Sequence, residues 1–484
     1  MDKNSNLNRN ESNGLKGNMG VFALAMTALA FVAPLGGCSG ALPVFLGLGG
    51  SGTPFIFIMV TVILLIFSIG FTKMGAIMAR PGGFYAYVTD GLGKKLGFVT
   101  AGMSSVGYLM VALWAPPLFG IQVNNFIGNV LGMDPLPWVV WALLSTLLCM
   151  FFAYHRIDLS AKVMVIVMFL EALAVVVFDI FCFVKGIPIN GSDAMITGVV
   201  DNGQFGAAIL MVLGAFFGFE ATVIYREETK DPEKTMPRAV FTTVILLGIF
   251  WSITAWAYNA YWGKDSIEMI ANEHTGTIFN DTLMAVTNKI VMDVVSVFAM
   301  VSVFASQLAI TNTANRYWYS LGVDGALPKV YGKAHPKHNS PYAAALTVGT
   351  IHCILMIIFY IAQPDSPDVV YPMFSGTGTF FVTVNLFLVS IAIPVYFRKN
   401  KVHNVTLLQS TIAPIISAIC ITVIMILAVI HFEALLGSSG WATYAFIAFV
   451  LVIFIGSYLY ATYIQKNKPE VYARLGRNNP DIIE

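Results

Sequence analysis

The sequence predicts an all-α membrane protein with twelve transmembrane helices. Of its 484 residues, 57% are hydrophobic and only 11% are charged, whereas soluble domains carry about 25% charged residues. Apolar stretches of about 20 residues, the length that crosses a bilayer, recur twelve times. Positive charges also gather in every second connection, as in multi-pass proteins. This composition excludes a soluble enzyme.

We number the apolar stretches as spans 1 to 12. They cover residues 21–48, 54–79, 96–123, 137–154, 163–185, 204–225, 239–262, 288–311, 341–362, 371–396, 408–431 and 441–464. Residues 20–400 are expected to form a ten-helix core, and residues 401–465 hold spans 11 and 12. The Asn- and Ser-rich residues 1–19 are expected to form a disordered cytoplasmic tail, and residues 466–484 a second tail. No stretch resembles a separate soluble domain, so function should reside among the helices.

The distribution of basic residues orients the chain. With a cytoplasmic N-terminus, 24 of the 27 Lys and Arg residues lie in the tails and inner connections, and only Lys185, Lys264 and Lys289 lie outside. The outer connections instead carry the acids Asp193, Asp265, Glu268, Glu273, Asp365 and Asp368. The positive-inside rule therefore predicts an integral protein of the plasma membrane with both termini in the cytoplasm.

The sequence predicts no metal site and no cofactor. Its five cysteines lie in or beside apolar runs without a CxxC pair, which is typical of core residues rather than of a disulfide framework or a zinc site. The near balance of 27 basic and 26 acidic residues provides no basic field for nucleic acid. The lipid bilayer and a small molecule are the expected partners.

Two spans contain sequences that a continuous helix does not favour. Residues 34–40 (PLGGCSG) in span 1 combine a proline, which removes a backbone donor, with three glycines, which weaken a helix. Residues 214–218 (GAFFG) interrupt span 6. Because four spans lie between them, a five-span unit would repeat with opposite orientation. Spans 1–5 and 6–10 are thus predicted to form an inverted repeat, with two helices appended.

The two breaks are candidates for a binding site. Unwound backbone at membrane depth must be buried in protein or line a polar cavity. Freed N–H groups suit a carboxylate and freed carbonyls suit an ammonium group or a cation, so together they suit an amino acid. Alternatively, the glycines only let helices pack closely. The candidate substrate-binding residues are Gly36, Gly37, Cys38, Ser39, Gly40, Gly214, Ala215, Phe216, Gly218 and Phe219.

Two acidic residues within spans are candidates for energy coupling. Glu171 lies eight residues past Val163, about 12 Å into span 5. An ionised carboxylate there costs on the order of 2.5–3.5 kcal/mol, so it should face the interior, pair or take a proton. Glu171 is therefore a proton carrier, a protonated acid bonded to a neighbouring helix, or a sodium ligand. Glu220 follows the break in span 6 and either caps the next half-helix or orients the site.

Short motifs follow spans 2, 6 and 8. They are residues 80–88 (RPGGFYAYV), residues 218–220 (GFE) with 227–232 (EETKDP) and 236–239 (MPRA), and residues 324–328 (DGALP). These motifs, with the order of the spans over about residues 15–475, resemble the amino acid–polyamine–organocation superfamily. The resemblance implies a LeuT-type fold of 5+5 inverted helices and secondary transport of amino acids or related amines.

We therefore expect a secondary active transporter that imports amino acids or related amines by alternating access. A proton is the expected coupling ion, with sodium as the second choice. The alternative is an exchanger that swaps an amino acid for an amine without net proton coupling. A membrane enzyme would need paired carboxylates, a His-rich cluster or a nucleophile, and a channel would need a repeated filter or rings of charge. The sequence shows none of these patterns.

Overall fold

The computed structural model describes residues 20–78, 83–155, 161–186, 198–199, 203–220, 229–402, 405–436 and 440–476. Apart from turns, this part of the chain is helical. The predicted tail 1–19 and residues 477–484 of the second tail lie outside it. So do residues 80–82 and 227–228 of the motifs, and residues 221–228, where the second half of span 6 was predicted to begin.

Every predicted span coincides with helical structure. The helices are Val21–Val32, Pro34–Gly36 and Leu42–Gly49 (span 1), Thr53–Ile77 (2), Lys94–Ala112 and Ala115–Phe126 (3), Trp138–His155 (4), Ala161–Lys185 (5), Phe205–Gly214 (6), Pro232–Trp262 (7), Lys289–Val323 (8), Tyr342–Ala362 (9), Pro367–Lys399 (10), Ala413–Ile430 (11) and Trp441–Asn467 (12).

Ten helical runs within the described residues are long and apolar enough to cross a membrane. The number is below twelve for two structural reasons. Residues Pro34–Ile77 form one run, because only the 3₁₀ turn Gly50–Gly52 separates spans 1 and 2. The described helix of span 6, Phe205–Gly214, has only 10 residues. Both differences arise at or next to the helices that the sequence predicts to be broken.

Shorter helices occupy the connections and the C-terminal segment. They are Gly83–Leu92, Ile267–Glu273, Ile278–Val286, Glu433–Leu436 and Pro469–Arg474. The first of these packs between spans 3 and 10 and was not predicted, because a ten-residue amphipathic segment carries no spanning-length signal.

Two of the sequence motifs meet at one end of the helix bundle. The Tyr85 hydroxyl donates to Asp324 Oδ2 at 2.9 Å. The backbone N–H of Gly476 contacts both groups, at 2.8 Å from the tyrosine oxygen and 2.9 Å from the carboxylate. Lys94 Nζ donates to the carbonyl of Tyr472 at 2.9 Å. The C-terminal helix is thereby fastened to the ends of spans 3 and 8.

The break in span 1 begins one residue before the predicted run. Ala33 has a left-handed φ of 45°, and the helix restarts at Pro34, whose missing N–H is tolerated at a first helical position. Residues Gly37–Ala41 then form a π-helical turn instead of an open loop. Such turns are rare and frequently lie at functional sites. Span 1 therefore breaks at one strained residue, Ala33, and then continues through a short helix and a π-helical turn.

Span 6 is interrupted where its glycines predict. Its described helix ends at Gly214, and residues 215–220 form turns. Gly218 has a φ of 109°, a conformation that side chains with a Cβ rarely adopt. The chain therefore leaves the helix axis directly after Gly214.

The packing of spans places the two breaks inside the bundle. Spans 2 and 7, spans 3 and 8, and spans 4 and 9 pack against one another, so helices five positions apart in the chain are partners. Span 1 contacts spans 6 and 8, and span 6 contacts span 10. Large apolar side chains on spans 5, 9, 11 and 12 are exposed, as expected for surfaces that face lipid. The 5+5 inverted repeat remains a prediction, which these pairings support.

Candidate functional site

A cavity of about 60 Å³ lies between the two breaks. It is lined by Phe31, Val32, Gly37, Ala41, Phe45, Tyr108, Val111, Trp114, Met211, Gly214, Ala215, Phe217, Trp251, Ile310 and Ser375. One water needs roughly 10–15 Å³ of such space, so the cavity has room for about four to six waters. None of these lining residues is Asp, Glu, Lys, Arg or His. The cavity is therefore small, mainly apolar and aromatic.

Three of the predicted site residues line the cavity, namely Gly37, Gly214 and Ala215. A Cβ atom on Gly37 would lie 2.5 Å from Cη2 of Trp251, so the missing side chain lets the indole ring lie against span 1. A Cβ atom on Gly214 would lie 2.5 Å from the hydroxyl of Thr379. Both glycines therefore permit close approach at the cavity wall.

Cys38 and Gly40 are not among the lining residues, and their carbonyl groups are already hydrogen-bonded. The Tyr258 hydroxyl donates to the carbonyl of Cys38 at 3.2 Å. The Tyr371 hydroxyl donates to the carbonyl of Gly40 at 3.0 Å. The carbonyls expected to receive an ammonium group are thus occupied by two tyrosines from spans 7 and 10.

Ser39 and Gly36 also lie outside the cavity lining. The Ser39 hydroxyl donates to the carbonyl of Gly36 at 3.2 Å and accepts from Gln122 Nε2 at 2.8 Å. A Cβ atom on Gly36 would lie 3.0 Å from Val303 Cγ2. These residues connect span 1 to spans 3 and 8.

Phe217, which was not among the predicted site residues, lines the cavity. The predicted Phe216 packs on Phe57 at a ring distance of 6.2 Å, and Phe219 makes an edge contact with Phe67 at 6.0 Å. Gly218, between them, supplies the turn. Which of these neighbouring aromatic rings faces inward depends on the turns after Gly214, and the sequence does not determine those turns.

Glu171 is 2% exposed and binds the restart of span 1. The Ser302 hydroxyl donates to Glu171 Oε2 at 2.6 Å, and the backbone N–H of Leu35 is a second donor. The N–H of Gly36 donates to the Ser302 oxygen at 3.0 Å. First-turn N–H groups have no partner within their own helix. Glu171 and Ser302 therefore cap the second half of span 1.

A second serine of span 8 bonds the other side of the same break. The Ser306 hydroxyl donates to the carbonyl of Phe31 at 2.8 Å. Ser302 and Ser306 are four residues apart and thus on one face of the helix. Span 8 therefore contacts span 1 on both sides of Ala33.

Glu220 is 3% exposed and lies behind the cavity wall. The Tyr108 hydroxyl donates to Glu220 Oε1, and the N–H of Gly218 donates to Glu220 Oε2 at 2.9 Å. Tyr108 lines the cavity and stacks on Tyr317 at 5.5 Å. Glu220 thus orients a wall residue and the turn of span 6 without lining the cavity itself.

Two buried polar atoms in or next to the cavity lining have no hydrogen-bond partner within the described part of the chain. They are the indole nitrogen of Trp251, which lines the cavity, and the hydroxyl of Thr379, which lies beside the lining residue Gly214. Buried polar groups are nearly always paired, so these atoms are candidates to contact a bound molecule. Neither was predicted, because spans 7 and 10 carry no break to mark them.

Comparison with known proteins identifies the family. Residues 23–472 match the profile described as amino acid permease. The branched-chain amino acid permease BcaP of Bacillus subtilis is 22% identical over 472 residues, 94% of either chain. BcaP of Lactococcus lactis is 21% identical over 367 residues, 71% of this chain and 75% of that one. The low-affinity putrescine importer PlaP of Escherichia coli is 23% identical over 321 residues, 63% of this chain and 67% of that one.

The family profile covers most of the chain, and ten described helical runs are able to cross a membrane. The resemblance seen in the motifs is thus confirmed. The protein is an integral multi-pass membrane protein that belongs to the amino acid permease family of the amino acid–polyamine–organocation superfamily.

Proposed function

We propose that the protein imports neutral amino acids with apolar side chains, by alternating access and coupled to protons. The observation that carries the substrate class is the cavity between the breaks, whose lining has aromatic and aliphatic side chains and no charged one. Burying a charged side chain without a partner is costly. A diamine such as putrescine, or glutamate, would bring a charge that the described lining does not match.

Backbone groups at the breaks other than the bonded carbonyls of Cys38 and Gly40 and the capped N–H groups of Leu35 and Gly36, and not charged side chains, would receive the amino acid zwitterion. Helix N-termini favour a carboxylate and helix C-termini favour an ammonium group. At about 60 Å³, the cavity accommodates roughly the main-chain atoms of an amino acid. A larger side chain requires apolar wall residues such as Phe217 and Met211 to move. We therefore assign the structure to a closed conformation.

The two breaks support alternating access. In broken-helix transporters, the half-helices meet at a central site while one part of the bundle moves against the other. Phe31 and Val32 line the cavity from one side of Ala33, and Gly37 and Ala41 line it from the other. Substrate would thus contact both halves of span 1.

The charge pattern supports a cytoplasmic location of both termini.

The position of Glu171 supports proton coupling. Its partners in the described structure are the donors Ser302 and Leu35, both of which contact the restart of span 1. Movement of that half-helix would withdraw donors from a buried carboxylate, and a buried acid without donors is more stable when it binds a proton. Proton binding at Glu171 and movement of span 1 would then be linked.

Uptake into proteoliposomes tests the proposal. Radiolabelled leucine, isoleucine, phenylalanine, glutamate, lysine and putrescine are compared with acidic or symmetric buffers, each with and without sodium. We expect the neutral apolar amino acids to accumulate only with acidic outside buffer, independently of sodium. Preferential uptake of putrescine or glutamate would contradict the substrate class. Strong counterflow without any pH-driven accumulation would favour the exchanger.

A further inference from the structure

Span 5 contains a second buried acid. Asp179 lies eight residues beyond Glu171, about 12 Å along the helix, and is 4% exposed. Its Oδ2 atom lies 3.0 Å from the hydroxyl of Thr254 in span 7. Its Oδ1 atom is buried and has no hydrogen-bond partner among the described residues. An ionised carboxylate would therefore have one donor at most, in a position where charge is costly.

The hydrogen atoms available around Asp179 favour a neutral acid. The Thr254 hydroxyl has one hydrogen but lies 3.0 Å from two oxygens, Asp179 Oδ2 and the carbonyl of Phe250. A carbonyl only accepts, whereas a protonated carboxyl group also donates. With an ionised Asp179, Thr254 must share its one hydrogen between both acceptors; each contact is a full two-centre hydrogen bond only if Asp179 donates to Thr254 and Thr254 donates to Phe250.

Glu171 has the opposite surroundings. It has two donors, the Ser302 hydroxyl and the N–H of Leu35. Because Ser302 accepts from the N–H of Gly36, its own hydrogen is available for the carboxylate. The two acids of span 5 thus differ in their hydrogen-bond partners. Glu171 is surrounded by donors, whereas the hydroxyl beside Asp179 is free to accept a hydrogen when it donates its own to Phe250.

We propose that Asp179 is a second proton-binding site, occupied in this conformation and distinct from Glu171. Its connection with transport rests on the proposed function, whereas its occupancy in the resting protein does not. The ligand is a proton because the pattern of donors and acceptors at Thr254 calls for a hydrogen on the carboxyl group.

The site is placed to act on the break in span 1. Asp179 is within electrostatic reach of Cys38 in span 1, Tyr258 in span 7 and Cys182 in its own helix. The Tyr258 hydroxyl donates to the Cys38 carbonyl. An ionised Asp179 would be a stronger acceptor than that carbonyl. Release of its proton would therefore place a competing negative charge near the hydroxyl that bonds the π-helical turn beside Gly37.

Other charged groups on the elements packed against span 5 lie in more accessible positions. Those of span 7, Glu233, Lys234 and Arg238, are exposed near its start, and Arg316 of span 8 is also exposed. The helix Ile278–Val286 carries Asp281, which is exposed. Span 8 carries Asp293, which pairs with Lys289 at 3.0 Å. Asp179 is therefore a second buried acid, besides Glu171, whose charge would change next to the π-helical turn.

Infrared spectroscopy of the purified full-length protein tests the occupancy. The carbonyl band of a buried protonated acid should be present at neutral pH and should lose the intensity of one group in Asp179→Asn. Glu171→Gln and the exposed control Asp365→Asn should keep it. If Asp179→Asn does not fold, carbon-13 labelling of aspartate carboxyl groups in the wild type must shift the band. An unshifted band, or one lost only in Glu171→Gln, would overturn the proposal.

Proteoliposome assays separate this proposal from the proposed function. Asp179→Asn should retain counterflow of leucine but move one proton fewer per substrate than the wild type, and Tyr258→Phe should retain the infrared band. If the wild-type protein shows the infrared band but no proton-coupled uptake, the proposed function is refuted, whereas the proton-binding site at Asp179 is retained. Unchanged proton stoichiometry in Asp179→Asn would refute the role of the site in transport. A band that sodium removes would identify a sodium site instead.

Discussion

Ser302→Ala tests whether span 8 and Glu171 together cap the broken helix. The substitution removes a donor to Glu171 and an acceptor for the N–H of Gly36, while it deletes only one oxygen atom. Ser306 offers a matched control, because it is equally buried on the same helix face and makes a single bond to the Phe31 carbonyl.

The magnitude follows from the hydrogen bonds that each serine makes. A bond to a carboxylate contributes about 1.5–3 kcal/mol, and a buried N–H without an acceptor costs about 1–3 kcal/mol. Ser302→Ala should therefore lower the free energy of unfolding by about 2.5–6 kcal/mol, against about 1–3 kcal/mol for Ser306→Ala, which leaves only the Phe31 carbonyl without its donor. In a Glu171→Gln background, the Ser302 bond loses its charge, so the cost of Ser302→Ala should fall by about 1 kcal/mol or more.

The assay is equilibrium unfolding of the purified protein in mixed detergent micelles, on the wild type, the three single variants and the Ser302→Ala/Glu171→Gln double variant. The double-mutant cycle isolates the energy of interaction between the two side chains. Equal costs for the two serine substitutions, together with additivity of Ser302→Ala and Glu171→Gln, would refute the capping arrangement.

Three further predictions concern binding, coupling and orientation. Gly37→Val should reduce leucine uptake at least tenfold, because its side chain would collide with the Trp251 ring. Gly128→Val is the control and should leave uptake unchanged, because no atom lies within 4 Å of its added Cβ. Equal uptake by the two variants would argue against the cavity as the substrate site. Glu171→Gln, which mimics a protonated acid, should retain counterflow but lose accumulation driven by acidic outside buffer. Wild-type accumulation would move coupling to another group, with Asp179 and Glu220 the next candidates. Single cysteines placed at positions 5 and 480 of a cysteine-free variant should resist impermeant thiol reagents added to intact cells, and labelling from outside would reverse the predicted orientation.

The sequence predicts the spans and both interruptions because their signals are local. Hydropathy over about 20 residues marks a span, and Pro and Gly mark weak points in helices. The position of the break is less predictable. Ala33 takes the strained φ because the helix restarts at Pro34. Composition alone predicts the break at the glycines, but Gly37 and Gly40 lie within the π-helical turn.

The site is less predictable because its contacts join distant parts of the chain. The depth of Glu171 follows from counting residues, but its partner Ser302 is 131 residues away. The carbonyl of Cys38 is bonded by a tyrosine 220 residues away, so the sequence does not reveal that it is occupied. Likewise, Asp179 lies in span 5 by inspection, but its unpartnered oxygen depends on how span 7 packs beside it.

The serine contacts on both sides of Ala33 have a kinetic consequence. A helix broken at one residue would bend freely, yet Ser302 and Ser306 hold its two halves to the same rigid neighbour. Bending then waits for hydroxyl bonds to open, each with a net free energy of only about 1 kcal/mol. Such contacts set the dwell time of a conformation without making it permanent. They are compatible with a protein that must pass between conformations on the microsecond to millisecond timescale of collective helix motions. Replacing these hydroxyl groups should therefore change how long the closed conformation lasts.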